Sequence, residues 1–326
     1  MKDLFELGKK HIKDTKPYQA GKPIEEVERE LGLSNIIKLA SNENPLGPSP
    51  KAVDAAAAAL KSIHLYPDAL YFRLREKLAG YTKVNMQNIT VGNGSENCLE
   101  CLIKSYIDEG DNVILDQYAF ATIRILVKAY GAQELLIPSI NYRHDVKAMV
   151  NAVNEKTKII FVVNPNNPTG TYVSHDELVY LLENIPEHVI VAVDEAYYEY
   201  LDKPDYPKSV GLLAKYDNLV ISRTFSKVYG IAGLRLGYLL TSFPVSELLH
   251  RSRMPFNVNN CAVAAGIASI DDHEFLAKTR KVNAEGLIQV SQGLVEMGIE
   301  YIPSVGNFIT ADMKTDALEI YKHILH

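Results

Sequence analysis

The chain has 326 residues, 47% hydrophobic and 23% charged, which suffices for one large domain with a second, smaller lobe. A net charge of -6 gives no support for nucleic-acid binding, which needs a basic surface to displace counterions. No apolar run reaches the length of a membrane span, and MKDLFELGKKHIKDT at the start lacks an apolar signal core, so a cytoplasmic protein is expected.

In chain order the elements read as α/β. The alanine run Ala55 to Ala59 follows Ser49-Pro50 and predicts a helix with a serine cap and proline in its first turn. The strand-like ITV leads into Gly92 and Gly94, and ENCLECLIKSYI follows as a helix. NVILD, KIIFVV, VIVAVD and LVISR are short and β-rich, without alternation, as expected of strands covered on both faces. SHDELVYLLENI predicts a helix capped by Ser174, with Glu177 completing a capping box. From Ser246 onward helical patterns dominate, then IEYIPS and GNFITADM read as two strands. Cys98 and Cys101 share a face of the predicted helix, and no further ligands stand at metal-site spacing. Core-facing thiols are the better reading, and no metal is expected.

The chemistry concentrates at three strand ends. TFSKVYGIAGLRLGY puts Lys227 beside Thr224 and Ser226 and upstream of Arg235. A lysine that captures an aldehyde cofactor needs a phosphate site close by, and hydroxyls with an arginine suit a phosphate dianion. NPNNPTG follows IIFVV, and VDEAYYEY follows VIVA. Ligands of an open parallel sheet bind at the carboxyl ends of its strands, so Asn167, Asp194, Tyr197 and Lys227 can meet in one crevice. Each suits pyridoxal phosphate. Asp194 can hold the pyridine nitrogen protonated, and Asn167 and Tyr197 can hydrogen-bond the ring oxygen. Singly, DEAY is equally a strand-end acid with a core tyrosine; together the three ends point to the cofactor. VGNGSEN lacks the third glycine of a dinucleotide fingerprint. Anion capture at a helix N-terminus is its better use, by the amides of Ser95 and Glu96.

NENPLGPSP, LYPDALYFRLREKLA, VGNGSEN, NPNNPTG, DEAYYEY and TFSKVYGIAGLRLGY stand in an order that resembles the fold-type-I, pyridoxal-phosphate-dependent aminotransferases. The chain looks most like the histidinol-phosphate aminotransferase family within them. The resemblance implies a large domain at 41–245 with a mostly parallel central sheet flanked by helices. It implies a smaller α+β domain at 246–326, joined by an N-terminal segment at 1–40. It implies that Ser95, Glu96, Thr224, Ser226 and Arg235 hold the cofactor phosphate, and that Tyr118 stacks on its ring. Tyr66 would reach the phosphate of a neighbouring subunit, which implies a homodimer. Tyr18 and Asn44 match positions near the substrate, although a loop tyrosine and a turn asparagine read nearly as well.

The implied reaction transfers the amino group of L-histidinol phosphate to 2-oxoglutarate, in histidine biosynthesis. Lys227 would hold the cofactor and then act as the base, its pKa lowered by an electropositive, partly desolvated site. Family members run several dozen residues past the point where this chain stops, and that stretch carries arginines for the substrate's anion. A poorer anion site is therefore expected here. Three other functions fit the same motifs: an aromatic aminotransferase, a decarboxylase of a phosphorylated amino acid, and a non-catalytic cofactor-binding protein.

Overall fold

The computed structural model describes residues 3–325. Seven strands form one sheet: β1 (Ile89–Gly92), β2 (Asn112–Asp116), β3 (Gln133–Ile137), β4 (Thr157–Val163), β5 (Ile190–Asp194), β6 (Leu219–Thr224) and β7 (Gly237–Leu240). Their order is β1-β7-β6-β5-β4-β2-β3. The pairs β2 with β3, β2 with β4, β4 with β5 and β5 with β6 are parallel. Strand β7 runs antiparallel to both β1 and β6. This is the expected mostly parallel α/β sheet, with one reversed strand inserted near an edge.

Both faces of the sheet are covered, which explains the unbroken apolar runs. Along β4, Ile160 and Val162 enter one core while Ile159, Phe161 and Val163 enter the other. Along β5, Val191 and Val193 alternate in the same way with Ile190 and Ala192.

The helices follow their sequence signals. Helix Pro50–Ala59 starts at Ser49, whose Oγ accepts from the Ala52 amide at 3.2 Å. Helix His175–Glu183 carries the capping box: Glu177 N donates to Ser174 Oγ, and Ser174 N donates to Glu177 Oε2. Helix Ser95–Tyr106 turns Cys98 and Cys101 into the core, where burial pushes both thiols up. Among the described residues no group of three or more His, Cys, Asp or Glu could hold a metal ion. No helix among them is long and apolar enough to cross a membrane.

After β7 come helices Phe243–Ser252, Asn260–Ile270 and His273–Glu296. Strands β8 (Glu300–Ile302) and β9 (Thr310–Asp312) pair antiparallel as a separate two-stranded sheet. The short helix Lys10–Lys13 packs on helix Ala121–Ala129, beside the large sheet. The loop between β8 and β9 reaches back to the large sheet. Val305 N donates to Gly170 O at 3.0 Å, and Asn307 Nδ2 donates to Asn42 O at 2.9 Å.

Candidate active site

Strand register brings the polar residues together. Asp194, the last residue of β5, lies between Val163 of β4 and Ser222 of β6. Gly237, the first residue of β7, lies between Thr224 of β6 and Gly92 of β1. The ends of these strands therefore open onto one cavity of about 380 Å³, at the carboxyl edge where ligands of such sheets bind. Asn167, Asp194, Tyr197, Thr224, Ser226, Lys227 and Arg235 line it, with Ser95, Glu96 and Tyr18.

One end of the cavity gathers groups able to bind an anion. Helix Ser95–Tyr106 begins at Gly94, φ 87°, and no side chain caps it, so its first amides face the cavity unpaired by a cap. A β-carbon on Gly237 would stand 2.2 Å from the Ser95 nitrogen, and one on Gly94 would stand 2.6 Å from Arg235 Nη2. Two glycines thus permit the close approach of strand, helix end and guanidinium. Arg235 itself is left-handed at φ 57°, an uncommon backbone for a residue with a β-carbon and one that gathers at functional sites. Its Nη1 donates to Ser226 Oγ at 3.5 Å, and its Nη2 lies 3.6 Å from Glu96 Oε2. Thr224 Oγ1 donates to Ser226 Oγ at 3.0 Å. Two hydroxyls, a guanidinium and a helix N-terminus share this end.

The other end holds the titratable groups. Lys227 Nζ donates to Ser41 O at 2.8 Å and sits 5.6 Å from the centre of the Tyr197 ring. Burial lowers its pKa to about 8, with Arg235 adding to the effect against Glu43 and Asp194. Asp194 is buried, and its Oδ1 has no hydrogen-bond partner. Burial raises its pKa to about 6. A buried carboxylate oxygen without a partner is costly, and a cationic N–H donor entering the cavity would satisfy it. The Tyr197 hydroxyl accepts from Asn167 Nδ2 at 3.1 Å and from Asn42 Nδ2 at 3.0 Å. Burial pushes its pKa up to about 12.

Three of the residues singled out in the sequence lie apart from this lining. Tyr118 is exposed, with its ring 6.0 Å from that of Tyr142, and Phe120 lines the cavity instead. Tyr66 is 82% exposed on another face, stacked on Phe256 at 4.7 Å. Asn44 is buried, and its amide is committed elsewhere: Nδ2 donates to Val228 O at 2.9 Å, and Oδ1 accepts from Leu46 N at 3.0 Å. Sequence reading also passed over Ser41, Asn42 and Phe120, all of which line the cavity. For Asn42 a signal existed, since SNENP holds a second asparagine.

The family model for aminotransferase class I and II matches residues 34–325. Histidinol-phosphate aminotransferase 1 of Nitrosococcus oceani is 44% identical over 322 residues, covering 99% of this chain and 87% of that protein. Histidinol-phosphate aminotransferase 1 of Idiomarina loihiensis is 45% identical over 324 residues, with 99% and 88% covered. Among solved structures, the histidinol-phosphate aminotransferase from Sinorhizobium meliloti in complex with pyridoxal-5'-phosphate superposes with a TM-score of 0.86 at 26% identity. That match covers 91% of this chain and 81% of the other. With its seven-stranded sheet and strand-end cavity, the chain belongs to the class I and II aminotransferases, and within them to the histidinol-phosphate aminotransferases.

Proposed function

We propose that this protein is a pyridoxal-phosphate-dependent aminotransferase that passes the amino group of L-histidinol phosphate to 2-oxoglutarate. The products are imidazole acetol phosphate and glutamate, and the setting is histidine biosynthesis. The names of the relatives supply the substrate. One observation carries the cofactor: a lysine of lowered pKa, an unpartnered buried carboxylate and an uncapped helix N-terminus beside an arginine face one cavity.

These groups fit the cofactor part by part. Lys227 would take its aldehyde, and Asp194 its ring nitrogen. Asn167 and Tyr197 would take the ring oxygen. The amides of Ser95 and Glu96, the hydroxyls of Ser95, Thr224 and Ser226, and Arg235 would take the phosphate. When bound, the cofactor supplies an electron sink for charge left on the substrate's α-carbon. Asp194, ionised against a cationic donor, keeps that donor protonated. Lys227 Nζ, with a pKa of about 8, is near balance between charged and neutral forms at ordinary pH. In its neutral form it takes the α-proton of the amine donor. Tyr18 and Phe120 line the cavity, and Tyr18 would border the substrate.

The proposal includes a homodimer in which Tyr66 serves the partner's cavity. Tyr66 and the Phe256 ring stacked on it are both exposed, and exposed apolar surface of this kind marks a protein contact. Mixing inactive Lys227→Ala protein with an inactive Tyr66→Ala variant should restore activity through hybrid dimers. A fully active monomer by sedimentation would count against it. A cytoplasmic setting goes with the three free cysteines.

Measuring keto-product formation from a panel of amine donors tests the function. Histidinol phosphate should give the highest kcat/KM. Preference for phenylalanine or tyrosine, release of CO2 from a phosphorylated amino acid, or cofactor binding without turnover would each overturn it.

A further inference from the structure

The turn Ser41–Asn42 meets the site from outside the large sheet. Both residues are left-handed, with φ 69° and 52°. Residues with a β-carbon adopt that backbone at a cost, and it persists where the surroundings hold it. Three contacts hold it here. Ser41 O accepts from Lys227 Nζ at 2.8 Å, Asn42 Nδ2 donates to the Tyr197 hydroxyl at 3.0 Å, and Asn307 Nδ2 donates to Asn42 O at 2.9 Å. The neighbouring Phe308 stands edge-on to the Tyr197 ring at 5.0 Å. Two side chains of the β8–β9 loop thus brace the turn and the phenol it touches.

The hydrogen-bond count at Tyr197 gives this arrangement a direction. Its oxygen receives two N–H donors, from Asn42 and from Asn167. A phenol oxygen has room for about two donors and gives one proton. With both accepting positions filled, the phenol proton is left to point into the cavity. We infer that Asn42 is a positioning residue that acts through Tyr197, aiming its hydroxyl proton at the ring oxygen of the bound cofactor, with Asn307 holding Asn42 in place. The inference rests on the cofactor reading above. Asp194, Tyr18, Lys227 and Tyr200 are the titratable groups near the phenol, and none of them supplies this orientation.

The experiment uses the holoenzyme and follows the pH titration of its near-visible absorbance. A hydrogen bond donated to the ring oxygen weakens that oxygen's hold on a shared proton, so losing it moves the midpoint to higher pH. Asn42→Gly keeps a left-handed backbone without strain and removes only the amide. It should raise the midpoint by about one unit. It should lower kcat about tenfold, the scale of one hydrogen bond, while KM for the amine donor changes less than roughly threefold. Asn42→Asp puts an acceptor where the donor was and draws the phenol proton away, so its shift should be larger. Asn307→Ala should shift the midpoint the same way by a smaller amount. Variants that hold the cofactor and keep the wild-type midpoint, whether or not they lose thermal stability, would overturn the inference. A wild-type protein without near-visible absorbance would overturn the cofactor reading, and this inference with it.

Discussion

Arg223 Nη2 lies 2.8 Å from Glu195 Oε2, with both side chains buried directly behind the strand end that carries Asp194. The other oxygen of Glu195 accepts from Ser209 Oγ, and the Arg223 guanidinium lies over the Tyr198 ring at 3.8 Å. One ion pair therefore anchors both the residue after Asp194 and the residue after Tyr197. Arg223→Met would leave Glu195 charged and unpaired in the interior, a loss of about 3–5 kcal/mol. Denaturant titration of the apoprotein should show it, and Arg223→Met with Glu195→Gln should recover most of it. A loss below about 1 kcal/mol would mean that the pair is dispensable.

Lys227 must be neutral to attack an aldehyde, and burial sets its pKa near 8. The rate at which apoprotein captures pyridoxal phosphate should therefore rise with pH and level off above about 8. Below that point it should fall about tenfold per unit, as the neutral fraction does. Stopped-flow absorbance measures the rate. Borohydride should then fix the cofactor to Lys227, and Lys227→Ala should abolish turnover. Label on any other lysine would rule out the assignment.

For Asp194 the folded pKa, about 6, lies above the unfolded value of roughly 3.9. A carboxyl raised in this way favours folding only while protonated. Its cost is absent below about pH 4, grows between about 4 and 6, and is constant above that. Two units correspond to roughly 3 kcal/mol. Asp194→Asn should stabilise the cofactor-free protein by up to that amount at pH 8 and have little effect at pH 4. The loaded enzyme should lose on the order of 10²–10³-fold in kcat, the usual scale for a preorganised charge. Near-normal turnover with cofactor retained would refute the role.

Gly237→Ala tests the anion end. The added β-carbon would stand 2.2 Å from Ser95 N, against backbone rather than a flexible tip. The helix end or β7 must shift, at about 1–3 kcal/mol. Cofactor affinity should fall about tenfold or more by the usual conversion, as equilibrium dialysis can measure. Alanine at Gly233, where a β-carbon meets nothing within 4 Å, should bind as wild type does.

Much of the site was legible in the sequence because its chemistry is local. Hydroxyls and an arginine beside a lysine, an acid at a strand end and a glycine turn into a helix are short runs. Their residue types follow from what each part must bind. The double-sided cores of β4 and β5 were legible for the same reason, as was the capping box at Ser174. Direction and orientation were not. Strand β7 begins two residues after Arg235 and runs against its neighbours, yet a strand buried on both faces has the same composition in either direction. Asn42 and Asn44 stand two residues apart in one turn, but one reaches the cavity and the other the Val228 carbonyl. Their left-handed and ordinary backbones are selected by partners such as Asn307 and Thr279, more than two hundred residues along the chain. Tyr118 and Phe120 divide in the same way at the end of β2. The sequence by itself determined which groups were available at each strand end. Tertiary packing decided which of two neighbours faces the cavity, because a turn has no periodicity and takes its side-chain directions from whatever closes over it.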